Sequence, residues 1–104
     1  MNEKHIEIID RAWDVDSGFF FLLRDRNFSL SKGNEVLNAL RGINIDKESE
    51  QINRETVRLI WFIPLFMKWQ KENMESVLNE ADYTLLYNLT EELQSEVMRL
   101  LGLP

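Results

Sequence analysis

Apolar residues recur at helical spacing near both ends of the chain. Ile6, Ile9 and Trp13 fall on one face of a helix predicted over about 2–14. Near the other end, apolar residues recur every three or four positions and predict a second stripe: Leu89, Leu93, Val97, Leu100 and Leu101. Gly102 follows this stripe directly, where a helix-ending glycine is expected.

Two shorter segments between these helices have a less regular pattern. The five apolar residues at 19–23 fit a buried helix or a buried strand, which the polar residues 24–27 would turn back into 28–30. We favour the helix, because no other segment offers a further strand and an isolated hairpin is marginal. Ser31 is the expected cap of a short helix that ends near Gly42.

The longest apolar run, LIWFIPLFM at 59–67, lies inside a helical element expected over about 49–72. A membrane span needs about 20 apolar residues, so this run is expected to be core or interface. Pro64 cannot donate a backbone hydrogen bond to the preceding turn, which predicts a kink or a break near Ile63.

A helix that is apolar on all sides belongs at the centre of a bundle. We therefore expect Leu65 and Trp69 to continue the inward face of this element, and its large side chains to fill the core rather than to line a ligand cavity. Together the patterns predict an all-α fold in a single domain, 1–104. Five to seven helices would form a compact bundle around a central Pro-kinked apolar helix, with no confident strand.

The composition excludes several kinds of chemistry. The chain has no cysteine and one histidine, His5, which excludes thiolate metal sites, thiol nucleophiles and any relay of two histidines. A calcium loop that starts at Asp14 fails, because its sixth residue is Phe19 instead of glycine and its twelfth is Asp25 instead of glutamate. We expect no catalytic residues, no metal and no cofactor, and therefore no enzyme.

Acidic residues are concentrated in the C-terminal part of a chain whose net charge is −6. This charge argues against nucleic acid as the main partner. Residues 72–98 contain no lysine or arginine and seven acids: Glu72, Glu75, Glu80, Asp82, Glu91, Glu92 and Glu96. Acids at helix starts and on a solvated face would explain most of them. A surface field of one sign, which speeds association with a cationic partner, is the alternative interpretation.

Several stretches together resemble a known class of proteins. They are Trp13, SGFFFLLR at 17–24, NRETVRLIWFIPLFMKWQ at 53–70 and the terminal LGLP. The chain resembles the immunity proteins of contact-dependent growth inhibition and related bacterial toxin systems. Some helical members of that class are partnered with RNase toxins, including toxins of the RNase A-like fold. The resemblance implies a cytoplasmic protein that binds one cognate toxin domain and blocks its active site, and it assigns no functional residue.

Our first hypothesis is a cytoplasmic immunity protein that is monomeric when free. It would bind and neutralise a cognate basic nuclease toxin, an RNase, one to one through an acidic surface, without a membrane or nucleic acid as partner. The expected toxin-binding residues are Glu80, Asp82, Tyr83, Tyr87, Glu91 and Glu92. The two tyrosines are four residues apart and would anchor the interface, although both fit a half-buried position in the bundle equally well.

The alternative hypothesis is a helical adaptor or regulatory module that is unrelated to toxins. It would dock another protein through the run at 59–67, which would then be partly exposed instead of buried. A contiguous exposed apolar patch around Phe62 and Phe66 would favour this alternative.

Overall fold

The computed structural model describes residues 2–44 and 53–102, and six α-helices account for most of these two ranges. The helices are α1 Glu3–Ala12, α2 Phe19–Arg24, α3 Leu30–Gly42, α4 Arg54–Ile60, α5 Ile63–Met74 and α6 Glu80–Leu101. The described ranges contain no strand, so the all-α fold is confirmed. The segment at 19–23 is helical, as favoured from the sequence. No described helix is both long and apolar enough to cross a membrane.

The boundaries of α6 follow from its two end residues. The Asn79 side chain caps the first turn, where its Oδ1 accepts a hydrogen bond from the Asp82 N–H at 2.8 Å. The helix then runs without a break for 22 residues. Gly102 ends it with a φ of 85°, and its N–H donates to the Met98 carbonyl at 2.8 Å. Pro104 lies outside the described residues.

The start of α3 differs from the prediction by two residues. Ser29, not Ser31, is the cap, because the backbone of Ser29 is extended while Ser31 already lies inside the helix. The Ser29 Oγ accepts a hydrogen bond from the Lys32 N–H at 3.3 Å.

The element expected over 49–72 is two helices in the described range. α4 ends at Ile60 and α5 begins at Ile63, with Pro64 in the first turn of α5. A proline is tolerated there because first-turn N–H groups have no partner within the helix. Residues 49–52 of the predicted element lie outside the described residues.

Helices α3 and α6 hold the centre of the bundle. α1 and α2 pack against α3, α3 packs against α6, α5 packs against α6, and α4 packs against α1. The structure does not confirm a central position for the apolar helix at α5, which lies beside α6 and packs mainly on it. The Trp13 indole ties α1 to α4, since its Nε1–H donates to the Leu59 carbonyl at 2.9 Å.

Arg99 of α6 caps the carbonyl end of α3. Its Nη2 donates to the carbonyls of Leu40 at 3.0 Å and Ile43 at 3.4 Å, and its Nε to Glu96 Oε1 at 2.9 Å.

We expect Arg99→Ala to lower the free energy of unfolding by about 1–2 kcal/mol, because part-buried carbonyls lose a charged donor. Urea unfolding followed by circular dichroism measures this loss. The control is Arg24→Ala, at an exposed position in the last turn of α2; an equal loss in both variants would contradict the capping role.

Candidate protein-binding surfaces

The six residues predicted to bind a toxin all lie on or near the outside of α6. The carboxylates are exposed at all four positions: Glu80, Asp82, Glu91 and Glu92. Tyr87 is 44% exposed, whereas Tyr83 is partly buried. The side chains of this set therefore differ in how far a partner can reach them.

The helical period divides these six residues between different sides of α6. Glu80, Tyr83, Tyr87 and Glu91 follow one another at spacings of three and four residues, so they share one flank of the helix. We call these four residues the acidic–tyrosine strip; it is roughly 16 Å long at 1.5 Å per residue. Asp82 and Glu92 fall outside the strip on the helical period.

Helices elsewhere in the chain bring cations to the segment that lacks them in sequence. The Arg41 Nη2 of α3 lies 3.5 Å from Glu92 Oε2, and the Lys71 Nζ of α5 lies 4.5 Å from the Tyr87 ring centroid. Glu80 and Glu91 have no ion pair among the described residues. The strip thus has a carboxylate without an ion pair at each end and a lysine ammonium over the tyrosine between them.

A second surface consists of apolar residues on the outer face of α4 and α5. Trp61, Leu65 and Trp69 are 57%, 42% and 47% exposed, and their spacing of four residues places them in one row. We call these three residues the tryptophan ridge. The expectation that Leu65 and Trp69 face inward is wrong: α5 buries one side against α6, and no described helix covers the ridge.

Phe62 connects the ridge to the core. It is partly buried, and its ring centroid lies 5.3 Å from that of Trp61 and 5.7 Å from that of Trp69. An open groove of about 490 Å³ lies next to Phe62. The groove is lined by Asp10, Trp13, Arg58, Leu59, Trp61 and Phe62.

An ion pair on α4 lies beside this groove, in addition to the Asp10 carboxylate that lines it. The Arg58 Nε donates to Glu55 Oε2 at 3.1 Å, and both side chains are largely exposed. This hydrogen bond lowers the pKa of Glu55 and raises the pKa of Arg58. Both groups therefore stay charged near neutral pH, and solvent screening keeps the contribution of the pair to stability small.

The sequence shows the four-residue spacing of the ridge but not whether the ridge faces the core or the solvent. Residues 61, 65 and 69 are visibly four apart, yet neighbouring positions in the same run are also apolar. Of these neighbours, Ile63, Phe66 and Met67 are buried. The packing of α5 on α6, together with that of Phe66 on Trp13 and Phe20, decides which half of the run faces solvent.

The described residues hold no group of three or more histidine, cysteine, aspartate or glutamate side chains arranged to bind a metal ion. The two surfaces are instead composed of the groups that dominate protein recognition, namely tyrosine, tryptophan and charged side chains at an exposed rim.

The chain matches no protein-family profile, no curated protein and no solved structure.

Proposed function

We propose that this protein is an immunity protein that binds and neutralises a cognate basic nuclease toxin, an RNase, in the cytoplasm. The observation that carries the proposal is the acidic–tyrosine strip on α6. It combines an exposed tyrosine with two carboxylates that have no ion pair among the described residues, all on one helix flank. The net charge of −6 and the resemblance to immunity proteins of contact-dependent growth inhibition support the same function.

The mechanism is electrostatic occupation of a phosphate-binding groove. A nuclease needs cations along its substrate path, because each bound phosphate is negatively charged. Carboxylates at Glu80 and Glu91, about three helical turns apart, present negative charge to such a groove at two points. Tyr87 lies between them and supplies apolar contact with a polar tip, which is the combination that interface hot spots use. The protein itself performs no catalysis in this mechanism.

The first experiment identifies the binding partner. The tagged protein is used to capture its ligand from the native lysate, and the captured protein is produced and assayed for cleavage of RNA. We expect a basic domain whose RNase activity falls to zero at one equivalent of the immunity protein. A captured protein with no nuclease activity, or activity that persists at several equivalents, would overturn the proposed function.

The acidic–tyrosine strip leads to a second prediction, which concerns individual residues. Replacing both Glu80 and Glu91 by lysine is expected to slow association with that RNase at least about tenfold at low salt, and to flatten the salt dependence of the association rate. Stopped-flow binding at several salt concentrations measures both quantities. The positions are exposed, so we expect unfolding by urea to change little.

A matched control separates local charge from net charge. Asp25→Lys with Glu35→Lys changes the net charge by the same amount at exposed positions after α2 and on α3, and neither carboxylate has an ion pair among the described residues. We expect this variant to keep most of the association rate. If both double variants slowed binding equally, only the net charge would matter and the strip would not be the contact surface.

The tryptophan ridge favours a second candidate function, a helical adaptor that docks another protein. Its three exposed apolar side chains lie near Phe62, which is itself partly buried. Phe66, around which the alternative hypothesis also expected an exposed patch, is buried. In that case the captured partner would be a protein without toxin activity, and its affinity would respond to substitutions in the ridge instead of the strip.

A further inference from the structure

The outer face of α4 and α5 has a symmetric arrangement of side chains about Leu65. Trp61 lies four residues before Leu65, and Trp69 lies four residues after it. Arg58 lies seven residues before Leu65, and Glu72 lies seven residues after it. Tryptophan thus stands at both inner positions, while opposite charges stand at the two outer positions.

These five positions share one face of a nearly continuous helix. Steps of three and four residues return to the same side of a helix. The junction between α4 and α5 keeps helical backbone angles, with φ and ψ of −61° and −31° at Trp61 and −86° and −13° at Phe62. On the side of α4, Arg58 and Trp61 line the same groove, and across the junction the Phe62 ring contacts both Trp61 and Trp69.

We propose that a second copy of this chain docks on the tryptophan ridge, antiparallel, with a two-fold axis at Leu65. In this pairing Trp61 packs on Trp69 of the second copy, and Arg58 faces Glu72 of the second copy; the two-fold axis repeats each contact. A parallel pairing in register would place Arg58 against Arg58 and Glu72 against Glu72. Arg58 is already paired with Glu55 of its own helix, so Glu72 of the second copy would share this arginine with Glu55. The antiparallel pairing still avoids the like-charge contacts of the parallel one, and charge complementarity therefore favours it.

The exposed area sets the expected strength of this dimer. The three ridge side chains expose roughly 300 Å², comparable to the largest apolar patch on an ordinary monomer. A standard interface buries about 800 Å² on each partner, so flanking side chains such as Phe62 and Lys68 must contribute. We expect dissociation in the micromolar range or weaker, which differs from the monomeric state expected from the sequence.

The first test measures self-association of the whole chain. Sedimentation equilibrium from about 10 μM to about 1 mM, at physiological salt to screen the charge of each copy, should show a monomer–dimer equilibrium. Leu65→Glu places two carboxylates on the two-fold axis and should weaken the dimer at least about 100-fold. The matched control is Leu85→Glu on α6, where the leucine is 40% exposed and lies outside the ridge, and it should leave the dimer intact.

The second test exchanges charges between copies. Arg58→Glu and Glu72→Arg each create two like-charge contacts in their own homodimers, and each should weaken self-association about tenfold. An equimolar mixture of the two variants restores both opposite-charge contacts, so the mixture should dimerise as well as the wild type. A purely structural role of Arg58 or Glu72 predicts no such recovery.

Several results would overturn the proposed dimer. One is a wild-type chain that stays monomeric up to about 1 mM. Another is a dimer that survives Leu65→Glu, or one that the mixed charge variants fail to restore. If the ridge became protected only when the captured RNase or another protein was added, that partner would be its occupant. The strip lies on α6, so failure of the dimer leaves the proposed toxin binding untouched, and the reverse holds as well.

Discussion

Replacing Phe20 with alanine is expected to remove about 3–5 kcal/mol from the free energy of unfolding. Phe20 is 1% exposed and stands at the meeting point of three helices. Its ring centroid lies 4.0 Å from that of Trp13 at the end of α1 in a stacked arrangement, and 5.5 Å from that of Phe66 on α5 in an edge-to-face arrangement. Alanine would leave a cavity that none of these neighbours can close.

This loss is large compared with the total stability expected of a domain of this length. A chain of 104 residues is stabilised by about 5–15 kcal/mol, so the variant loses a large fraction of it. Urea unfolding followed by far-ultraviolet circular dichroism measures the change, with an unchanged m-value as the sign that the variant still unfolds in one step.

Trp61→Ala is the matched control for the aromatic cluster. It removes a larger ring, but that ring is mostly exposed, so the expected loss is below about 1 kcal/mol. The same variant is expected to weaken self-association, because Trp61 belongs to the ridge. Equal destabilisation by Phe20→Ala and Trp61→Ala would contradict the core position of Phe20 and the exposed position of Trp61 together.

Helix ends were the most predictable part of the fold, since their signals are local. Gly102 is the helix end that the sequence predicts, because a glycine at positive φ acts within one turn. The cap of α3 was displaced to Ser29 because two serines stand within two residues of each other. Single-sequence patterns do not distinguish such close candidates.

The surfaces were less predictable, since they depend on contacts between distant segments. Lys71 and Arg41 both approach the base-free segment from other helices, and Arg41 is 51 positions away from Glu92. A count of charges along the chain cannot include such neighbours. The same limitation applies to the ridge, because an unbroken apolar run carries no period that separates the buried Phe66 from the exposed Leu65.

The distribution of compensated and uncompensated charge sharpens the functional proposal. Glu92 is paired with Arg41, so a cationic partner would have to compete with that arginine for it. Glu80 and Glu91 meet no such competition among the described residues. We therefore expect these two carboxylates to dominate steering of a basic toxin, with Glu92 and Asp82 as weaker contributors among the six predicted positions.

Gly18→Ala is expected to destabilise the protein by about 3 kcal/mol, although it adds only one methyl group. Gly18 is buried between α1 and α2, and a Cβ at this position would overlap the Ala12 carbonyl oxygen. The same atom would lie 2.6 Å from the Ala12 carbonyl carbon and 2.8 Å from the Arg11 carbonyl oxygen. Backbone atoms of α1 cannot rotate away as a side chain can.

The clash at Gly18 would propagate into the core. The last turn of α1 is fixed by buried Ile9 and Ala12, so relief requires α2 to move away from α1. That movement would carry Phe19 and Phe20 out of their packed positions. The sequence does not predict this enclosure of Gly18, because close approach of two backbones leaves no trace in hydrophobic spacing.

The control for Gly18→Ala is a glycine that is required for its backbone angle alone. Gly102 has φ and ψ of 85° and 167°, a region that is essentially restricted to glycine, and a Cβ added there would meet no described atom within 4 Å. Gly102→Ala should therefore cost about 1–2 kcal/mol from backbone strain without a clash. Thermal and urea unfolding of the two variants side by side distinguish the two causes. Should Gly18→Ala prove no more costly than Gly102→Ala, the tight contact between α1 and α2 would not exist in solution.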